Sequence, residues 1–402
     1  MAEFDPSTHP HRRFNPLTNE YILVSPHRTK RPWLGQTEAS QPSNLPQYDP
    51  NCYLCPGNTR VGGQKNEVYE HTTVFENDFA AVLPPPGPIA PIVSHPLLTV
   101  EPVQGDCDVL CFHPRHDLTL ARLEIEAIER IIEEWTRVYL KRGRQEGIKY
   151  VQIFENKGAM MGCSNPHPHG QVWSLSLIPM IPSVELSSLT RYASSEIPTS
   201  GAPRGPKGCP CLLCEYAHFE LSVRMSEARI VVQNEHWLAL VPWWATWPFE
   251  ILRMSLFTQA VIGICSKFSK LFAVLPHNRH IPSIYHLTSA EKTSFAKILS
   301  QITRRYDNLF RCSFAYSMGI HQRPIPPSEN FDSNGGEDEG DIAHLHLHFY
   351  PPLLRSATVR KFLVGFELMA EAQRDLTAEQ AAKRLRECND VHYLDRVEEQ
   401  KV

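Results

Sequence analysis

The sequence predicts an α+β fold made of two tandem copies of one strand-rich unit, each an antiparallel sheet with helices packed on it. Three observations carry this. Short motifs recur in the same order in both halves, a long amphipathic helix pattern follows in each, and a His-x-His strand closes each copy.

The elements follow in order. Glu76-Asn77-Asp78-Phe79-Ala80-Ala81-Val82-Leu83-Pro84 resembles Asn234-Glu235-His236-Trp237-Leu238-Ala239-Leu240-Val241-Pro242, which places a strand pair early in each copy. His113-Pro114-Arg115-His116 then precedes Leu118-Thr119 and a helix pattern from about Leu123 to Arg142. Its counterpart, His277-Asn278-Arg279-His280, precedes Leu287-Thr288 and a helix pattern from about Ser289 to Leu309. Each helix leads into a β-rich stretch with a Met-Gly pair, Met161-Gly162 or Met318-Gly319. The closing strands are His167-Pro168-His169 and His346-Leu347-His348, and the two units divide as residues 1–195 and 196–402.

At 402 residues with a net charge of -4, the chain has room for two domains and no global attraction to nucleic acid or an anionic membrane. Any anionic substrate must be met by local basic residues. No apolar run is long enough to span a bilayer, and Met1 to Pro10 lacks the basic-then-apolar profile of a signal peptide. Eleven cysteines, an odd number containing the tight pair Cys52 and Cys55, suit a reduced, cytoplasmic chain better than a disulfide framework.

The segment Cys163-Ser164-Asn165-Pro166-His167-Pro168-His169-Gly170-Gln171 is the most informative. On an extended strand His167 and His169 project to one face, and small polar neighbours leave room for an anionic ligand. Cys52-Tyr53-Leu54-Cys55-Pro56-Gly57 offers two thiolates from one turn; His116 and His167 are the natural partners to complete a tetrahedral zinc site, a buried thiol pair being the alternative. His169 is then left as a nucleophile, since a neutral imidazole can attack phosphorus and hold the group as a phosphoramidate. Gln171 lies on the same face and can hydrogen-bond a phosphoryl oxygen. Unlike a histidine it cannot protonate a leaving group, which favours transfer over hydrolysis. Gly158 and Gly162 allow close backbone approach, and Ser164 adds a hydroxyl.

Basic residues gather at His27-Arg28-Thr29-Lys30-Arg31 and at Arg355 with Arg360-Lys361, where guanidinium groups can clamp phosphate. In the second half His321, His346 and His348, with Glu185, suit iron or zinc, satisfied core histidines being the alternative. Cys209, Cys211 and Cys214 have no partner histidines apparent and read as a loop of free thiols. The acidic, Gly-rich stretch Ser328 to Asp341 reads as a disordered loop rather than a calcium site.

Together these motifs resemble the galactose-1-phosphate uridylyltransferase family, tandem-repeat members of the histidine-triad-like superfamily. The resemblance also takes in Arg31-Pro32-Trp33, Phe154-Glu155-Asn156-Lys157-Gly158, Trp247-Pro248-Phe249-Glu250, Tyr316-Ser317-Met318-Gly319 and His346 through Lys361, and covers most of the chain. It implies two histidine-triad-like units and exchange of UMP between UDP-glucose and galactose 1-phosphate, through a covalent uridylyl group on His169. Cys52, Cys55, His116 and His167 match the family's zinc ligands; Glu185, His321, His346 and His348 match a second, structural site for iron or zinc. Arg28, Arg31, Asn77, Asp78, Asn156, Gly162, Cys163, Ser164 and Gln171 match positions lining the UDP-sugar site. Lys361, Phe366, Glu367 and Gln373 match the part supplied by the partner subunit of a homodimer. One departure is Ser255 to Ala273, additional to the family pattern, which reads as an inserted loop or a translated intron. The alternatives are a related transferase or phosphorylase using another nucleotide or sugar phosphate, and a non-catalytic binder of nucleotide sugars. Asn77 and Asp78 argue against the first, and the intact His167-to-Gln171 run against the second.

Overall fold

Strand-forming alternation is clearest in Tyr150-Val151-Gln152-Ile153-Phe154 and in Gly170-Gln171-Val172-Trp173, and the two stretches pair antiparallel with Phe154 opposite Gln171. The computed structural model describes residues 4–30, 45–87, 95, 97–196, 200–224, 227–247, 249–255, 279–326, 339–353, 356–359, 363 and 365–396. Its strands are β1 (His11–Asn15), β2 (Glu20–Val24), β3 (Thr73–Glu76), β4 (Gly105–Cys111), β5 (Tyr150–Lys157) and β6 (His169–Leu175) in the first half. The second half adds β7 (Ile230–Gln233), β8 (Trp237–Leu240), β9 (Ile251–Ser255), β10 (Tyr316–His321), β11 (His346–Tyr350) and β12 (Gln373–Arg374).

Nine of these form one antiparallel sheet in the order β3-β4-β6-β5-β10-β11-β9-β8-β7. The halves join at its centre, where β5 pairs with β10 and Ser317 lies opposite Asn156. Outward from that seam the sheet is near-symmetric: β11 carries His346-Leu347-His348, β6 begins at the second histidine of His167-Pro168-His169, and β4 and β9 lie beyond them. A small sheet, β1-β2-β12, ties the C-terminal segment to the N-terminal one.

Helices α1 (Ile125–Gly143) and α4 (Ser289–Phe310) cover one face of the large sheet and touch each other. In α1, Ile128, Ile131, Ile132, Trp135, Val138 and Tyr139 recur at helical spacing and are buried against Ile153 and Val172. Thr288 caps α4 in a capping box with Glu291, worth about 1 kcal/mol. At the far end of α1, Arg142 is clamped by Asp108 at 2.6 and 2.7 Å, pinning the helix to β4.

The opposite face differs between the halves. Over the second half lie α2 (Met180–Ala193) and α3 (Leu212–Ser222), whose Leu189, Leu212 and Leu213 pack on Leu238 and Leu240 of β8. Every residue of β8 is therefore buried, with Trp237 and Ala239 facing the first helix layer. Among the described residues no such layer lies over β6, which keeps alternate residues accessible. Among the described residues, no helix is long and apolar enough to cross a membrane.

The fold class and both long helices agree with the sequence expectations. The matching strand pairs do not. Trp237 starts β8, stacks on Phe295 at 4.4 Å between ring centroids and donates from Nε1 to the Glu291 carbonyl. The aligned Phe79 lies in a turn after β3 and is 74% exposed, with no described residue of the first half packed over it. Of the additional segment, Ser255 ends β9 and the remainder lies outside the described residues, as do residues 328–338 of the acidic stretch. The end of that stretch turns inward: Asp341 is buried and pairs with Arg323.

Candidate active site and metal centres

The Cys52–Cys55 turn, the loop before α1 and the lead into β6 meet at one point. Cys52, Cys55, His116 and His167 are all buried, with one donor atom from each within 4.8 Å of the others. Cys55 Sγ stands 3.6 Å from His116 Nδ1 and 3.5 Å from His167 Nδ1. Zinc–ligand bonds of the usual length at tetrahedral angles require sulphur–nitrogen edges of about 3.6 Å, so the four donors fit zinc. Second partners orient them. Tyr69 Oη lies 2.9 Å from His167 Nε2 and donates to the Leu54 carbonyl, while Asn165 Nδ2 donates to Cys52 Sγ at 3.3 Å. Burial pushes the Cys55 thiol up to about 11 and the His167 imidazole down to about 3, so both are neutral until a cation displaces the thiol proton.

His169 opens β6 on the uncovered face. Its Nδ1 lies 2.7 Å from the His167 carbonyl, which can only accept, so Nδ1 carries the proton and Nε2 has a free lone pair. Burial holds the ring below its ordinary pKa, with the carbonyl opposing, and keeps it neutral and nucleophilic. The ring borders a cavity of about 320 Å³ lined also by Asn156, Lys157, Gly158, Cys163 and Ser164. Gly158 and Gly162 turn the chain around this space at φ of 86° and 79°, values that favour glycine.

In the second half, α2 brings Glu185 onto β10 and β11. Its Oε2 is 2.7 Å from His321 Nδ1 and 3.5 Å from His346 Nε2, and Oε1 is 3.5 Å from His348 Nε2. Burial opposes ionisation of Glu185, but the His321 charge and hydrogen bond, with the His346 and His348 imidazoles close by, hold it well below the usual carboxylate range. His346 Nε2 and His348 Nε2 are buried without a hydrogen bond, as expected of ligands aimed at a cation. Three imidazoles and a carboxylate fit iron or zinc.

The cavity thus gathers Asn156, Cys163, Ser164 and His169, with exposed Gly162 in the adjoining turn. Gln171 shares the face of His169, but its Oε1 accepts from Trp173 Nε1 at 3.0 Å and lies along the strand. Asn77 Oδ1 accepts from the Phe79 amide, and Asp78 Oδ2 from the Gly62 amide, so both shape the loop after β3. Arg28 is exposed in the turn after β2; Phe366 and Glu367 lie in a surface helical turn, and Gln373 is buried on β12. Arg31 and Lys361 lie outside the described residues.

Sequence reasoning passed over Glu155 and Lys157, both at the cavity. Lys157 Nζ is paired with Asp307 at 2.9 Å, and burial pushes Glu155 up to about 7 while Tyr316 donates to it. Charged residues at alternate positions of an otherwise apolar strand were the available signal. The reading of Cys211 and Cys214 as loop thiols is corrected: both are buried at the start of α3, and His280 and His344 converge on them. Those histidines lie 66 and 130 residues beyond Cys214, much as His116 and His167 lie 61 and 112 beyond Cys55, so the repeat itself was the available signal.

Profiles of the galactose-1-phosphate uridyl transferase N-terminal and C-terminal domains match residues 2–179 and 190–397. The chain belongs to this family. A galactose-1-phosphate uridylyltransferase of Cryptococcus neoformans is 48% identical over 94% of this chain and 90% of that protein. One from Saccharomyces cerevisiae is 45% identical over 98% and 99%. Among solved structures, a uridylyltransferase superposes with a TM-score of 0.64 at 25% identity, covering 94% of this chain and 97% of that one. An ADP-glucose phosphorylase from Arabidopsis thaliana reaches the same TM-score at 21% identity, which shows a shared fold alone.

Proposed function

We propose that the protein is a UDP-glucose:hexose-1-phosphate uridylyltransferase of galactose metabolism, transferring UMP from UDP-glucose to galactose 1-phosphate. The observation carrying this reading is the neutral His169, its proton fixed on Nδ1 and its Nε2 lone pair at a cavity of nucleotide-binding size. Nε2 attacks the α-phosphorus, an N–P bond forms, and the P–O bond to glucose 1-phosphate breaks. The leaving group departs as a phosphate and needs no added proton. A phosphate oxygen of galactose 1-phosphate then attacks the same phosphorus, the N–P bond breaks, and His169 is restored. Through both steps the His167 carbonyl shares the positive charge that develops on the ring. Ser164 and Gln171 donate to phosphoryl oxygens, the latter after its amide turns from Trp173.

The remaining UDP-sugar contacts fall to Arg28, Arg31, Asn77, Asp78, Asn156, Gly162 and Cys163. Lys361, Phe366, Glu367 and Gln373 complete the site of a partner subunit in a homodimer. Zinc at Cys52, Cys55, His116 and His167 braces the strand that carries the nucleophile, and iron or zinc at Glu185, His321, His346 and His348 braces its counterpart. Residues 1–195 and 196–402 are the two repeat units, and the enzyme works in the cytoplasm.

The test is intact-protein mass spectrometry after mixing with UDP-glucose alone at mildly alkaline pH. A UMP adduct mapping to His169 that disappears on adding galactose 1-phosphate is the expected result. No adduct in folded, zinc-loaded protein overturns the reading.

A further inference from the structure

The second half holds a buried group that neither the family resemblance nor the reaction uses. Cys211 closes the N-terminus of α3, Cys214 lies in its first turn, His280 precedes α4, and His344 leads into β11. One donor atom from each lies within 4.8 Å of the others. Three of the four residues are buried outright, at 4% (Cys211), 1% (Cys214) and 1% (His344) exposure. Both cysteines are free thiols.

In each imidazole one nitrogen is tied to the main chain: His280 Nε2 to the Asp341 carbonyl, and His344 Nδ1 to the Ile281 amide. The other nitrogen, His280 Nδ1 or His344 Nε2, is buried and makes no hydrogen bond. His280 Nε2 faces a carbonyl and so bears the proton, which leaves Nδ1 a lone pair beside two thiols in a dry pocket; it and the unpartnered His344 Nε2 carry the full cost of desolvation unless something pairs with them.

Position makes the same point. In the first half a Cys-x-x-Cys turn, a histidine before the long helix and a histidine two residues ahead of the return strand form the zinc group. In the second half Cys211 and Cys214, His280, and His344 occupy those three places in the same order. The correspondence extends one residue further. His169 Nδ1 lies 2.7 Å from the His167 carbonyl, and His346 Nδ1 lies 2.7 Å from the His344 carbonyl. The aligned pair is therefore His344-Leu345-His346 against His167-Pro168-His169, one step earlier than the repeated His-x-His text indicates.

We propose that Cys211, Cys214, His280 and His344 bind a zinc ion, the repeat-related partner of the one at Cys52, Cys55, His116 and His167. Two thiolates and two imidazoles are the donor set of a closed structural zinc site. The ion joins α3, the segment before α4 and the approach to β11, so it fixes His346 as the first ion fixes His169. This inference is independent of the uridylyl reading.

The full-length protein, reconstituted with zinc under reducing conditions, is titrated with an organomercurial while a zinc indicator follows release. Only thiolate-bound metal is displaced, and the two thiolate-containing groups predict two zinc ions per chain. The double variant Cys211→Ser, Cys214→Ser should release half as much while still forming the His169 adduct. Release of a single ion from the wild-type chain, a native Cys211–Cys214 disulfide in mapped peptides, or unchanged release from the variant overturns the proposal. Should the variant fail to fold, the wild-type stoichiometry decides.

Discussion

The return strands β6 and β11 start from the same plan and end in opposite states. Each begins with a histidine whose Nδ1 is held by the carbonyl two residues back, at 2.7 Å in both. On β6 that histidine faces a cavity, and among the described residues no helix layer covers the outer face of the first half. On β11 it is sealed beneath α2, which supplies Glu185, and its Nε2 points at a carboxylate. The neighbours differ accordingly: Gly170 and Gln171 follow His169, whereas Leu347 and His348 follow His346. One imidazole keeps an Nε2 lone pair at a cavity, and the other is enclosed with a carboxylate and two further histidines. What separates them is not the strand but what covers it.

Replacing His169 with Asn gives the largest expected break in this comparison. Exchange should fall more than about 10³-fold while UDP-glucose still binds in calorimetry. Equal activity in the variant would remove the covalent mechanism. In the covered half, Glu185→Ala leaves three histidines without their counter-charge and should lose the second metal together with about 3–5 kcal/mol of stability in denaturant titration. Unchanged metal content would make those histidines packing residues.

Gly170→Ala probes the geometry under the nucleophile. A Cβ there would stand 2.9 Å from the Phe112 ring and 3.0 Å from the Phe154 carbonyl oxygen. The strand must shift, and about 1–3 kcal/mol of stability should be lost, with slower uridylylation of His169. Gln171→His gives the first half the third histidine of the second. An acid at that position should raise UMP release in the absence of acceptor by roughly tenfold or less, read by chromatography. No change would show that the third position does not govern hydrolysis.

The smallest effect is on pH dependence. Because burial depresses the His169 pKa, the neutral nucleophile persists as pH falls through 6.5, its ordinary value. Single-turnover loading with UMP should therefore hold its rate there and decline only at lower pH. A midpoint at or above the ordinary value would contradict the buried, carbonyl-held ring.

The positions of α1 and α4 were legible from apolar spacing, and the Cys52, Cys55, His116 and His167 group from a tight pair and repeated motifs. His169 was legible as a candidate from the His167-Pro168-His169 text, but the expected shared strand face was not met: β6 starts at His169 and His167 lies in the bend before it. Glu155 and Lys157 were not: their burial depends on Asp307 and Tyr316, which α4 and β10 bring from the other half. The aligned text around Phe79 and Trp237 misled, because only the second half has Phe295 to receive the ring. Cys211 and Cys214 misled likewise, since the repeated His-x-His text set His346 and His348 against His167 and His169 and left His344 without a counterpart.

By itself the sequence determined the periodicities, the local turns and the types of donor available, all set by neighbours a few residues apart. Only the tertiary structure decided which face of each half was covered, because that depends on where α2 and α3 pack after the chain leaves β6. Burial by long-range neighbours, not residue type, left one histidine at a cavity and enclosed its counterpart beside a carboxylate.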